Sequence, residues 1–286
     1  MPSLREYSQS SHGTCDLRVG ESMLERNRIY NMDCVEGLRL LDDCSVDLTV
    51  TSPPYDNLRQ YKGYSFDFDA VANELFRVTK DGGVVVWVIN DATVNGSETG
   101  TSFRQALRFK EIGFKLHDSM IYAKDSCPYP ETTRYYPGFE YMFVLVKGKI
   151  KTVHLIADKP NKQAGDKITG TERKADGTVK YMSAVEKHTG RKVKPYGVRT
   201  NIWHFGMGFM KSTTDRCAYK HPAIFPEKLA HDHIISWSNP GDLILDPFMG
   251  SGTTAKMARL TGRDYIGFEI SKEYCDIAEE RLEAIL

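Results

Sequence analysis

The sequence predicts an α/β fold with a mainly parallel sheet of about seven strands. Three observations carry that prediction. Short β-branched or apolar runs alternate with segments whose apolar residues recur at helical spacing. One run, Val84 to Ile89, is continuously apolar, as a strand covered on both faces must be. A glycine-bearing turn after Asp246 joins a strand-like segment to a helix-like one, the junction beyond which open parallel sheets bind ligands.

Taken in order, residues 1–25 are polar and receive no element. Val46 to Thr51 is a short β-branched strand. Phe68, Val71, Ala72, Leu75 and Phe76 share one helical face, and Gly82-Gly83 is expected to end that helix with a left-handed cap. Val84 to Ile89 follows as the strand buried on both faces. Phe103, Ala106 and Leu107 give a second helical stripe that stops at Gly113, and Lys115 to Ala123 and Tyr141 to Val146 read as two more strands. In the last third, Leu229, His233, Ile234 and Trp237 share a helical face, while Leu243 to Leu245 and Tyr265 to Phe268 are strands. A final helix turns Tyr274, Ala278, Leu282 and Ile285 inward, with Ser271 at its N-cap.

Composition narrows the class. Lys and Arg (38) balance Asp and Glu (38), so no global field announces a membrane or nucleic-acid partner. An apolar fraction of 41% suits a packed core. No apolar run approaches the ~20 residues of a membrane helix. The N-terminus lacks a secretory pattern, and the expected location is the cytoplasm. The six cysteines contain no C-x-x-C pair, which argues against a zinc site or redox dithiol and for a reducing compartment. His231 and His233, two apart on a helix, face different ways, so no metal site is expected. Trp203 reads as a core residue, with base stacking the alternative.

The charge is unevenly placed. Residues 147–199 hold fourteen Lys and Arg against five Asp and Glu, with few large apolar residues and several glycines. Such a window is either a solvated surface insertion or a phosphate-contacting module.

Two motifs carry chemistry. Asp246-Pro247-Phe248-Met249-Gly250-Ser251-Gly252-Thr253-Thr254 follows a strand and opens a helix. Its glycines are expected to let backbone approach a ligand, and the helix N-terminus offers free N–H groups. The third glycine of a dinucleotide fingerprint is missing and an acid leads the loop, which favours a cationic or amino-bearing ligand over a pyrophosphate. Glu269, ending the next strand, is placed to take ribose hydroxyls. The second motif, Thr51-Ser52-Pro53-Pro54-Tyr55, lies at the end of the Val46–Thr51 strand. Its prolines fix the backbone and remove two N–H donors, leaving carbonyls to accept, and Tyr55 can stack on a flat substrate.

With both motifs present, the chain resembles the S-adenosylmethionine-dependent amino-methyltransferases of DNA, in the circularly permuted branch where the Ser-Pro-Pro-Tyr motif precedes the Asp-Pro-Phe loop. The resemblance spans roughly residues 29–146 and 200–286. It implies a Rossmann-like catalytic domain over 26–146 and 200–286, with S-adenosyl-L-methionine as cofactor and DNA as partner. It implies that Asp246, Pro247, Phe248, Gly250, Gly252 and Thr253 surround the cofactor and that Glu269 holds its ribose. Asp33, in Asn31-Met32-Asp33-Cys34, is matched to the adenine side, and it equally reads as the N-cap of a helix. The catalytic set implied is Ser52, Pro53, Pro54 and Tyr55, with Ser52 Oγ and the Pro53 carbonyl accepting the two N–H groups of an exocyclic amine. Tyr55 would stack on a base flipped from the duplex.

The Ser-Pro-Pro-Tyr form and the His221–Leu229 segment look like the cytosine-N4 branch; adenine-N6 is the alternative, and a catalytically silent binding subunit the third reading. The 147–199 insertion is matched by position to a target-recognition region. Arg59 is a candidate phosphate contact on a loop after Tyr55. A ring-carbon mechanism would need a cysteine, and Cys127 has the wrong neighbour order for it. A homodimer and a cognate restriction endonuclease are compatible with the resemblance, and no membrane partner is expected.

Overall fold

The computed structural model describes residues 24–54, 56, 66–125, 132–168, 170–181 and 191–285. Tyr55, Arg59, Cys127 and residues 1–23 lie outside them. One eight-stranded sheet organises the molecule: β1 Arg28–Tyr30, β2 Val46–Thr51, β3 Thr79–Ile89, β4 Lys115–Lys124, β5 Phe139–Val146, β6 Ile202–Phe205, β7 Leu243–Asp246 and β8 Asp264–Phe268. The spatial order is β1-β8-β7-β2-β3-β5-β4-β6. β5 alone runs antiparallel to its neighbours; all other pairs are parallel.

Among the described residues six α-helices cover both faces: α1 Cys34–Arg39, α2 Phe68–Val78, α3 Thr101–Ile112, α4 Glu227–Trp237, α5 Thr253–Leu260 and α6 Lys272–Glu283. β3 shows why its run is apolar throughout. Val84, Val86 and Val88 enter the core shared with α4, α5 and α6, whereas Val85, Trp87 and Ile89 enter the core shared with α1, α2 and α3. Alternating side chains of one strand thus feed two hydrophobic layers.

The structure corrects four local expectations. α2 ends at Val78, not at Gly82-Gly83, because Thr79 already pairs with Val46 as the first residue of β3. Gly82 (φ 85°) instead bends β3, and its N–H donates to the Lys147 carbonyl at 2.7 Å. α3 is rotated relative to its apolar stripe: Phe103 and Leu107 are 50% and 58% exposed, while Ser102, Gln105, Ala106 and Phe109 are buried. Polar partners decide that face, since Trp87 Nε1 donates to Gln105 Oε1 at 2.8 Å and both the Ser102 N–H and Oγ donate to Asp91. Ser271 occupies the N-cap of α6 without a side-chain cap bond. The short strands β1 and β6 bring the sheet to eight.

The basic window divides. Ile150 and Ile156 pack against the core, and the His154 N–H donates to the Ser236 carbonyl. Beyond them stand two small antiparallel ladders, Lys159–Pro160 with Tyr196–Gly197 and Thr171–Arg173 with Val179–Tyr181. All these strand residues are exposed except Gly197. Arg199 closes the excursion by pairing with Asp158 (2.6 Å) and the buried Asp232 (2.5 Å). No helix among the described residues is long and apolar enough to cross a membrane.

Candidate active site

The two chemical motifs meet because β2 and β7 are adjacent and parallel, with Leu48 opposite Ile244 and Thr49 opposite Leu245. Both chains leave the sheet at the same edge, and Thr51 Oγ1 donates to Asp246 Oδ1 at 2.6 Å. Ser52, Pro54, Asp246, Pro247 and Phe248 line one cavity of about 520 Å³ at these strand tips, and Pro53 is buried beside them. Asp33, Gly250, Thr253 and Glu269 line it as well.

Electrostatics set the acids apart from surface carboxylates. Burial raises the Asp246 pKa to about 6, against the pull of the Thr51 hydroxyl and the Phe248 N–H on its ionised form. Burial also raises the Glu269 carboxyl above its ordinary value, while backbone donors oppose it. Glu269 Oε2 accepts from Gly250 N at 2.9 Å and Oε1 from Ser271 N at 2.8 Å, so this acid binds the glycine loop to the start of α6. Asp33 is the N-cap of α1: its Oδ1 accepts from Val35 N (2.8 Å) and Glu36 N (3.2 Å). Asn31 Nδ2 fastens the same stretch to the Glu269 and Ile270 carbonyls, both at 2.9 Å.

The glycines are demanded by packing as well. A Cβ on Gly250 (φ 52°) would meet the His221 ring at 3.1 Å, and one on Gly252 (φ 80°) would meet Ala278 of α6 at 2.7 Å. Gly252 does not line the cavity. Both are required by positive φ and by close packing of the loop on α6 and the 221–226 segment, which covers the cavity. No cluster of metal-ligating side chains occurs among the described residues. His233, in the core, accepts from Trp237 Nε1 at 3.2 Å, and its pKa is held down to about 3 by burial. Trp203 is buried against it.

Sequence reading missed the support behind the loop. Arg281 of α6 is fully buried beneath it. Its Nη1 donates to the Ser251 carbonyl (2.5 Å), Ser251 Oγ (3.2 Å) and Thr253 Oγ1 (3.1 Å). Its Nε and Nη2 reach Asp215 (2.8 Å) and Glu227 (2.7 Å), which also hold Lys256 of α5 at 2.7 Å each. Two cations and two anions from four segments thus bind the glycine loop to the chain that roofs the cavity. A lone arginine at an inward position of the last helix was the available signal.

On the Ser52 side, Asp56 (φ 47°) accepts from the Ala92 N–H (3.2 Å) and from the hydroxyls of Thr99 and Thr101, the latter at 2.8 Å. It ties the exit of the Ser-Pro-Pro motif to the far end of β3 and the start of α3.

A doubly covered, mainly parallel sheet, with an acid-led glycine loop at one strand tip and Ser-Pro-Pro at the next, defines an S-adenosylmethionine-dependent DNA methyltransferase. The chain belongs to the N6/N4 DNA methylase family, which matches residues 46–280. It is 62% identical over 245 residues to the orphan methyltransferase M.BamHII of Bacillus amyloliquefaciens, covering 85% of this chain and 91% of that one. It is 27% identical to the Type II methyltransferase M.SmaI of Serratia marcescens, with 92% of each chain covered. Among solved structures, TTHA0409 of Thermus thermophilus complexed with S-adenosyl-L-methionine matches with a TM-score of 0.60 at 25% identity, over 90% of this chain and 93% of that one. The PvuII DNA methyltransferase matches at 20% identity with a TM-score of 0.63, over 88% and 85% of the two chains, a likeness of fold. S-adenosylmethionine is the methyl donor and DNA the substrate.

Proposed function

We propose that this enzyme methylates the exocyclic N4-amine of a cytosine flipped out of duplex DNA. The observation that carries the methyl-transfer reading is the shared cavity of Ser52 and Asp246 at neighbouring strand tips, joined through the Thr51–Asp246 hydrogen bond of 2.6 Å, and the choice of cytosine rests on the Ser-Pro-Pro-Tyr form and the His221–Leu229 segment. The cofactor supplies a methyl group activated on a sulfonium. Its residues are proposed as Asp246 for the amino group, Glu269 for the ribose and Asp33 for the adenine amine. Pro247, Phe248, Gly250, Gly252 and Thr253 form or support the intervening wall.

Ser52 and Pro53 act on the other reactant. The lone pair of an exocyclic amine is delocalised into its ring, which makes it a poor nucleophile. Ser52 Oγ accepts one of its N–H groups and the Pro53 carbonyl the other, and this localises the lone pair toward the methyl group. A neutral serine suffices, because the methylated ammonium formed by the transfer is acidic and loses its proton to water without a strong base. Tyr55 stacks on the base and offsets part of the few kcal/mol lost on unstacking. Positioning is then the main catalytic term.

The exposed ladders between 159 and 198 are assigned to target recognition on their charge and place in the chain. Mass spectrometry of nucleosides from DNA treated with enzyme and cofactor tests the reading. It predicts 4-methylcytosine; 6-methyladenine alone would overturn the choice of base.

A further inference from the structure

The cavity continues past Ser52. Along the row of strand tips Asp246 ends β7 and Glu269 follows β8 on one side of β2, while Glu140 of β5 and Tyr122 and Lys124 of β4 line the other side. At roughly 5 Å per strand, β5 and β4 run about 10 and 15 Å from β2, so these groups line the cavity two and three strands away from Ser52. Lys124 Nζ lies 2.7 Å from Glu140 Oε1, with the two side chains only 12% and 14% exposed. The neighbouring backbones are already paired by ladder bonds, with Tyr122 opposite Glu140, so the sheet does not need this ion pair. Removing two charges from water is costly, which makes an ion pair facing a cavity a candidate for ligand work. Lys124 is the one Lys or Arg among the described residues lining the cavity.

Base discrimination needs such a group. Along their Watson–Crick edges cytosine and adenine both present an amine followed by a ring-nitrogen acceptor, and they differ in the third position. Cytosine has the O2 carbonyl there, adenine a C–H. Ser52 and Pro53 meet only the amine and accept equally well from either base. A donor beyond them separates the two. An ammonium carries three donors, and Glu140 takes one of them while fixing the position of the rest.

We propose that Lys124, held in place by Glu140, selects cytosine by donating to the O2 edge of the everted base. The inference rests on the cytosine-N4 reading above. A site built to hydrogen-bond a substrate group discriminates strongly against an analogue lacking it.

The test uses a duplex carrying a site that the wild-type enzyme methylates and a twin with adenine at the target position. Single-turnover rates on both are measured for wild type, Lys124→Met and Lys124→Arg, alongside S-adenosylmethionine affinity by calorimetry. Lys124→Met is expected to slow methylation of the cytosine duplex at least tenfold, leave the adenine rate within about twofold and leave cofactor affinity unchanged. Lys124→Arg should restore most of the preference. Equal slowing on both duplexes, an unchanged preference, or loss of cofactor binding would overturn the role of Lys124. A wild-type product of 6-methyladenine would instead overturn the cytosine reading itself, before any variant is measured.

Discussion

The two sides of the cavity are built differently. Around Asp246 the glycine loop is held by Glu269 from β8, Arg281 from α6 and Thr51 from β2, nearly all of it buried. Around Ser52 the described ties are fewer, chiefly the Asp56 bonds to Ala92, Thr99 and Thr101, and the basic ladders beyond stand in solvent. The difference follows the two ligands. One small molecule is bound the same way at every turnover and favours a preorganised pocket. A duplex must be approached, read and opened, which suits charged surface loops.

The largest effect should come from the rigid side. Arg281→Met leaves Asp215, Glu227 and Lys256 without their buried guanidinium and is expected to cost about 3–5 kcal/mol of stability, read by chemical unfolding. Arg281→Lys should recover part of it. If Arg281→Met cost under about 1 kcal/mol, the buried network would not be what stiffens this side.

Asp246→Asn separates stability from function. In the free protein burial moves the Asp246 pKa from 3.8 to about 6, so folding favours its protonated form. Its contribution is fully present below the unfolded value of 3.8 and is lost as pH rises through about 6. At pH 8 the ionised side chain therefore opposes folding by about 3 kcal/mol. Asp246→Asn should make the free protein more stable at pH 8, and the gain should shrink below about pH 6. The proposed amino-group role requires the carboxylate, so wild-type affinity for S-adenosylmethionine should fall about tenfold per pH unit below about 6. Calorimetry across pH 5–8 reads the effect, and a flat profile would remove Asp246 from that role.

On the open side, deleting 159–198 should weaken DNA affinity and flatten its salt dependence while leaving cofactor affinity within about twofold. An unchanged salt slope, measured by anisotropy titration, would refute the recognition assignment. Smallest of all, Asp56→Ala should lower the turnover number severalfold with little change in global stability, since its bonds order one loop.

Sequence reading reached what is local. The strand-loop-helix around Asp246 and the strand end at Ser52 are contiguous stretches whose chemistry shows in their residue order. It failed where distant segments decide. The inward face of α3 is chosen by Asp91 and Trp87, which no helical periodicity reveals. That Gly250 and Gly252 also clear His221 and Ala278 shows only once the fold brings those residues against them. The Arg281 cluster draws on residues 213–227, 251–256 and 281, and charge pairing across such separations has no period. β1 and β6, short strands at the two edges of the sheet, are partly exposed and lack the fully buried apolar run that marks Leu243–Leu245.

Calorimetric titration of S-adenosylmethionine into Asp246→Asn and Ser52→Ala, paired with single-turnover methylation, tests the central claim most directly. The account predicts about a hundredfold weaker cofactor binding for Asp246→Asn. For Ser52→Ala it predicts unchanged binding with methyl transfer slowed at least a hundredfold. Cofactor affinity lost equally in both, or methyl transfer undiminished in Ser52→Ala, would contradict the division of one cavity between two strand tips.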